Sequence, residues 1–124
     1  MVDLQLEKIT DPSMYTDVVH GTYKKHLKSI MNSGLHKMKR CHIHFANGIV
    51  RKADHKMISG IRSDCDIHIY INLAACITDG IDFYLSKNGV ILTEGNEHGY
   101  IETKYFSKII DCTTGSELSK IIND

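Results

Sequence analysis

Val18-Val19-His20-Gly21-Thr22 runs directly into Tyr23-Lys24-Lys25-His26-Leu27-Lys28-Ser29-Ile30-Met31-Asn32-Ser33-Gly34, and this junction decides how the chain is organised. The apolar pair opens a short buried strand that carries a histidine and a glycine to its end. Behind them Leu27, Ile30 and Met31 recur at i, i+3 and i+4, so one helical face is apolar, and Gly34 stands where a helix over 23–33 would close on a glycine cap.

Working outward, His42-Ile43-His44-Phe45-Ala46 alternates polar with apolar and reads as a strand that Asn47-Gly48 breaks. Residues 49–63, with Arg51, Lys52, Asp54, His55 and Lys56, follow no period and read as a loop over a site. Ile67-His68-Ile69-Tyr70-Ile71 is the strongest strand, and Leu73 to Thr78 is a short helix stopped by Asp79-Gly80. Phe83 to Ser86 and Val90 to Thr93 read as strands separated by Lys87-Asn88-Gly89. Tyr105 to Ile110 reads as a last strand, and Ser116 to Ile122 as a short terminal helix. Many short strands, few helices and no regular βαβ alternation predict an α+β domain over 18–112. Residues 1–17, with the only proline at Pro12, form a lead-in, and 113–124 a tail with its short helix.

The 124 residues suit one core, and the hydrophobic fraction of 42% is that of an ordinary globule. The first residues resemble no signal peptide, and no apolar run approaches the ~20 residues of a membrane span. The expectation is an intracellular, unanchored protein, cytoplasmic or nuclear. Cys41, Cys65, Cys76 and Cys112 are scattered without a CxxC pair, which argues for free thiols and against a zinc ribbon. Lys and Arg total 15 and Asp and Glu total 15, so bulk charge names no partner. Its distribution is more telling. Between Val18 and Ala53 no acid occurs, while Lys24, Lys25, Lys28, Lys37, Lys39, Arg40, Arg51 and Lys52 all do. Such a segment can focus phosphates, although a solvated helix face plus a basic loop has the same composition.

His20-Gly21-Thr22, His42-Ile43-His44-Phe45-Ala46, Ile58-Ser59-Gly60-Ile61-Arg62 and Ser86-Lys87-Asn88-Gly89-Val90-Ile91-Leu92 occur in this order. From about Val18 to Ile110 the chain thereby resembles the NAD-dependent RNA 2′-phosphotransferases, the tRNA-splicing members of the ADP-ribosyltransferase superfamily. The resemblance implies ADP-ribosyltransferase-like split antiparallel β-sheets with short flanking helices and NAD in the cleft. It implies that His20 hydrogen-bonds the adenosine ribose and that Gly21, beside Thr22, offers its backbone to the nicotinamide carboxamide. A glycine lets a ligand approach the backbone closely. His44 would stand where related polymerases carry a tyrosine and would edge against nicotinamide. His42, two residues earlier on the same strand face, would reach the same cleft. Cys41, His42 and His44 also suggest a metal, yet no fourth ligand stands at a zinc-like spacing and Cys41 faces away, so no metal is expected.

Ser59 and Gly60 would supply donors near the NAD ribose. Arg62 would grip the substrate phosphate as the catalytic residue, a fork that keeps its charge throughout turnover. Val90 takes the position of the superfamily glutamate. A hydroxyl acceptor needs that carboxylate, whereas a 2′-phosphate, with a second pKa of about 6, is already a nucleophile. The implied reaction removes the splice-junction 2′-phosphate of tRNA in two steps, giving nicotinamide and ADP-ribose 1″,2″-cyclic phosphate. Family members also carry an N-terminal winged-helix-like lobe with two arginines and a histidine. The seventeen residues before Val18 hold neither residue type, which leaves three expectations: the sequence is a fragment or unusual gene product, a separate partner supplies the lobe, or the domain has another task. Two alternatives remain: ADP-ribosylation of terminal phosphates on RNA or DNA, and a catalytically silent NAD- or ADP-ribose-binding module.

Overall fold

The structure is a computed structural model and describes residues 6–15, 17–47, 65–87 and 89–118. In chain order its elements are β1 (Glu7–Lys8), β2 (Val18–Thr22), α1 (Lys24–Ser33), β3 (Leu35–His36), β4 (Ile43–Asn47), β5 (Ile67–Ile71), α2 (Leu73–Thr78), β6 (Phe83–Leu85), β7 (Ile91–Thr93), β8 (Tyr100–Ile101), β9 (Phe106–Asp111) and β10 (Ser116–Glu117). Among the described residues eight strands form one antiparallel sheet in the order β1-β6-β7-β4-β2-β5-β9-β10, and β3 pairs with β8 apart from it. The domain is α+β.

The alternation in β5 explains its central place. Ile67, Ile69 and Ile71 face one core with Phe45, Phe83, Ile91, Ile109 and the α2 residues Leu73 and Cys76. Tyr70 points the other way, toward Val19 and Ala46. Each such aliphatic or aromatic side chain removed from water contributes about 1.5–3 kcal/mol. The helix α2 is short but well started, because the Asn72 side chain accepts from the Ala75 N–H at 3.0 Å.

The feature that makes the site is a parting of strands. β2 pairs with β4 only through Val18↔Asn47 and Val19↔Ala46. From His20 onward β2 continues with β5 alone, while Ile43, His44 and Phe45 pair with β7. The sheet is thus split along the line between His20–Thr22 and Ile43–Phe45, the split expected from the resemblance. On those facing edges the backbone groups have no ladder partner in the other strand.

Several elements differ from the sequence expectation. Ser116–Glu117 is a strand, paired with Asp111 and Ile110, where a short helix was expected. The cause is turn chemistry: Asp111 accepts from the Thr113 N–H at 3.0 Å through its side chain and from the Gly115 N–H at 2.7 Å through its carbonyl, which folds the chain back as a hairpin. Thr103–Tyr105 is a 3-10 turn before β9, held where the Tyr105 hydroxyl donates to Asp79 at 2.6 Å. The lead-in joins the sheet through β1, whose Glu7 and Lys8 pair with Leu85 and Tyr84. Gly34 does end α1, but at φ 96° and ψ 180°, outside the left-handed helical well. A Cβ there would collide with the Ile101 carbonyl oxygen, so close approach to β8 demands the glycine as much as the turn does.

Candidate active site

His20 bridges the gap between the parted strands. Its Nδ1–H donates to the His44 carbonyl at 2.8 Å, and its ring meets Phe45 edge-on at 5.7 Å. A carbonyl can only accept, so the neutral ring carries its proton on Nδ1 and leaves Nε2 as an acceptor. Burial lowers the His20 pKa, partly opposed by that hydrogen bond, and His44 and Arg40 lower it further. The ring therefore stays neutral at physiological pH. His44 is also held below the usual imidazole range, by burial first and then by the Arg40 and His42 charges. The Arg40 guanidinium lies 3.5 Å from His44 Nδ1, a long contact that favours the opposite tautomer, with Nε2–H as a donor.

Two cavities open on either side of His20. One, of about 270 Å³, lies along α1, where His26, Ser29, Ile30 and Ser33 form a stripe at i, i+3, i+4 and i+7. The other, of about 300 Å³, is walled by Gly21, Tyr23, Arg40, His42 and His44. His20, His36 and Met38 border both, so they are two ends of one elongated cleft. Together they fall within the range of small-molecule sites, about 300–1,000 Å³. Among the described residues no carboxylate lines either end, whereas Lys37 and Arg40 line the second with four imidazoles. Such walls suit a ligand with several phosphates and bases rather than a cation. Among the described residues there is no group of three His, Cys, Asp or Glu that could hold a metal ion.

Comparison with known proteins puts a family to this chain. The model of the RNA 2′-phosphotransferase, Tpt1/KptA family matches residues 1–95. The chain belongs to this family. tRNA 2′-phosphotransferase 1 of Danio rerio is 41% identical over 110 residues, which cover 87% of this chain and 48% of that protein. The protein of the same name from Mus musculus is 41% identical over 109 residues, 87% of this chain and 43% of that one. The human one is 45% identical over 93 residues, 75% of this chain and 36% of that one. The chain thus spans less than half the length of these phosphotransferases.

Of the residues singled out in the sequence, the structure gathers His20, Gly21, Thr22, His42 and His44 around the cleft. Val90 lines neither end; it is half-buried, and its N–H donates to Ser86 Oγ at 3.1 Å. Ser59, Gly60 and Arg62 lie outside the described residues. Sequence reasoning missed the wall made by His26, Ser29, Ser33, His36, Met38 and Tyr100. The α1 part of it was readable as a second, polar stripe beside the apolar one. The rest required knowing that β3 and β8 pair. Arg40 was counted only as one cation of a basic run, although its place two residues before His42 brings it to His44. Lys24, from the same run, is engaged elsewhere: its Nζ lies 3.0 Å from Asp111, and its N–H donates to Asp66 at 2.7 Å. All four cysteines are free thiols, and Cys76, buried beside Asp79, has its pKa pushed up to about 12. No helix among the described residues is long and apolar enough to cross a membrane.

Proposed function

We propose that this chain carries the NAD site and acceptor site of an RNA 2′-phosphotransferase, and that its substrate is a 2′-phosphorylated RNA of the kind left at tRNA splice junctions. The observation that carries the reading is the split between β2 and β4. It aims His20 Nε2 and the unladdered edge beside Gly21 into a cleft that no carboxylate lines among the described residues, in a chain of this family. The α1 end takes the adenosine: His20 Nε2 accepts from a ribose hydroxyl while the Ile30 side chain meets the base. The other end takes the nicotinamide riboside, with Gly21 holding the carboxamide by its backbone and His44 set against the ring. Lys37 and Arg40 neutralise phosphate oxygens between them.

NAD supplies the electrophilic ribosyl carbon and nicotinamide as its leaving group. A 2′-phosphate oxygen of the RNA bonds to that carbon as the carbon–nitrogen bond breaks and nicotinamide leaves with the electron pair. The ribose 2″-hydroxyl next attacks the phosphorus, the bond to the RNA 2′-oxygen breaks, and the hydroxyl proton ends on that oxygen. The chain's contribution to the first step is positioning and charge, since the nucleophile needs no base. Arg62 grips the transferred phosphate. A winged-helix-like lobe of the kind family members carry adds the remaining cations for the second step, and the setting is intracellular.

Mass spectrometry of a short RNA with one internal 2′-phosphate, incubated with NAD and this chain, tests the reading. Conversion to the 2′-hydroxyl, abolished by Arg62→Ala, is the expected result, with the N-terminal lobe added if the reaction stalls at the ADP-ribosylated adduct. Modification of a 5′-phosphorylated strand that lacks any 2′-phosphate would instead assign ADP-ribosylation of terminal phosphates. NAD binding without nicotinamide release, with the lobe present, would make this a silent module.

A further inference from the structure

Lys37-Met38-Lys39-Arg40 forms a turn on the lip of the cleft, closed by the Arg40 N–H donating to the Lys37 carbonyl at 3.0 Å. Three further bonds fix it. The Lys37 N–H donates to the Gly99 carbonyl at 3.0 Å, the Met38 N–H to His36 Nδ1 at 2.8 Å, and His36 Nε2–H to the His98 carbonyl at 3.1 Å. The His36 ring packs on Tyr100 with centroids 4.3 Å apart. Both His36 nitrogens are thereby spoken for by backbone. At the tip Met38 adopts φ 58°, the one left-handed non-glycine residue among those described. Its side chain is 74% exposed and yet borders both ends of the cleft.

A methionine held in a disfavoured backbone conformation, with its thioether in water, does nothing for the core. Its neighbours Lys37, Lys39 and Arg40 form no ion pair among the described residues, and Lys39 is exposed and lines neither cavity. Cations flanking a polarizable, apolar tip match a single strand of nucleic acid, which offers phosphates at intervals and a base face between them. A rigid turn presents that pattern without ordering costs on binding.

Building on the phosphotransferase reading, we infer that this turn is a rail for the RNA strand beside the 2′-phosphorylated nucleotide. Met38 packs against a neighbouring base and Lys39 contacts a phosphate outside the cleft, while Lys37 and Arg40 carry the positive field inward to the transferred phosphate. The turn then sets the affinity for longer acceptors, and the cleft sets the chemistry.

The test compares two acceptors with the same internal 2′-phosphate, a dinucleotide and a strand of about ten nucleotides. Lys39→Gln is expected to raise KM for the longer strand several-fold, to leave the dinucleotide unchanged, and to flatten the dependence of log KM on log salt by about 0.7 for one lost phosphate contact. Met38→Ala is expected to raise KM for the longer strand with kcat unaltered. Equal effects of Lys39→Gln on both acceptors, or an unchanged salt slope, would overturn the inference. Fluorescence anisotropy of the labelled longer strand is read alongside, so that a failure of turnover does not hide the answer. Weaker binding by Lys39→Gln supports the rail even if no phosphate is transferred. Equal binding by the wild type and the variant, or none by either, would refute it and leave the turn to a protein partner.

Discussion

Gly34→Ala is the substitution whose cost the structure sets most closely. Gly34 joins α1 to β3 at φ 96° and ψ 180°, a region open almost only to glycine, and an alanine forced there costs about 1–3 kcal/mol. A methyl group would also strike the Ile101 carbonyl oxygen and come within 3.1 Å of Glu102 Cα. Both are backbone atoms of the β8 region, so relief requires moving an element, and overpacking of that kind adds about 1–3 kcal/mol. The combined loss of about 2–6 kcal/mol is a large share of the ~5–15 kcal/mol that holds a domain together. Gly80 is the control, because its φ of 95° is similar but a Cβ there meets nothing within 4 Å. Urea unfolding of the two variants should show Gly34→Ala the less stable by about 1 kcal/mol or more, with unchanged m-values. At roughly 3–4 °C per kcal/mol the same gap appears in Tm. Equal losses in the two variants would refute the close-approach argument and reduce Gly34 to an ordinary turn glycine.

Stability should fall on mild acidification. His20, His44 and His68 are all lowered by burial, so between the unfolded value near 6.5 and their folded values the unfolded chain binds protons that the folded one does not, a loss of up to about 1.4 kcal/mol per pH unit for each histidine. Asp111, held at about 2 by Thr113 and Lys24, stays ionised through that window, so urea midpoints that are flat from pH 7 to 5 would contradict the burial of the imidazoles. Val90→Glu should leave the acceptor unchanged, because that position lies outside both ends of the cleft; ADP-ribose attached to an RNA hydroxyl by this variant would show that the carboxylate reaches the reacting ribose.

Strand identity was legible wherever one face is buried, as in Ile67–Ile71, since period-2 alternation reports burial directly. The hairpin at 111–117 and the β3–β8 pair were not, because each rests on partners distant or unforeseen: two-residue strands carry no period, and His36 pairs with Tyr100 across 64 positions of sequence. The site divides in the same way. His20, Gly21, His42 and His44 stood out because they fall in motifs that, taken in order, resemble those of the RNA 2′-phosphotransferases. His26, Ser29, Met38 and Arg40 did not, because each is an ordinary residue until β2 and β4 part and the cleft has walls.

That parting also explains how the sheet opens a cleft near its centre. A continuous β2–β4 ladder would satisfy the backbone of His20–Thr22 and Ile43–Phe45 and leave no room between them. Ending the ladder after Val19↔Ala46 forgoes those bonds, and His20 recovers one of them by donating across the gap to the His44 carbonyl. The same bond fixes the tautomer that turns Nε2 into an acceptor. The histidine thus both spans the split and supplies an acceptor within it. An alanine at position 20 would remove both functions, whereas an asparagine could keep a donor to the carbonyl while losing the acceptor geometry of the ring. The two variants therefore separate the integrity of the fold from the proposed grip on a ribose.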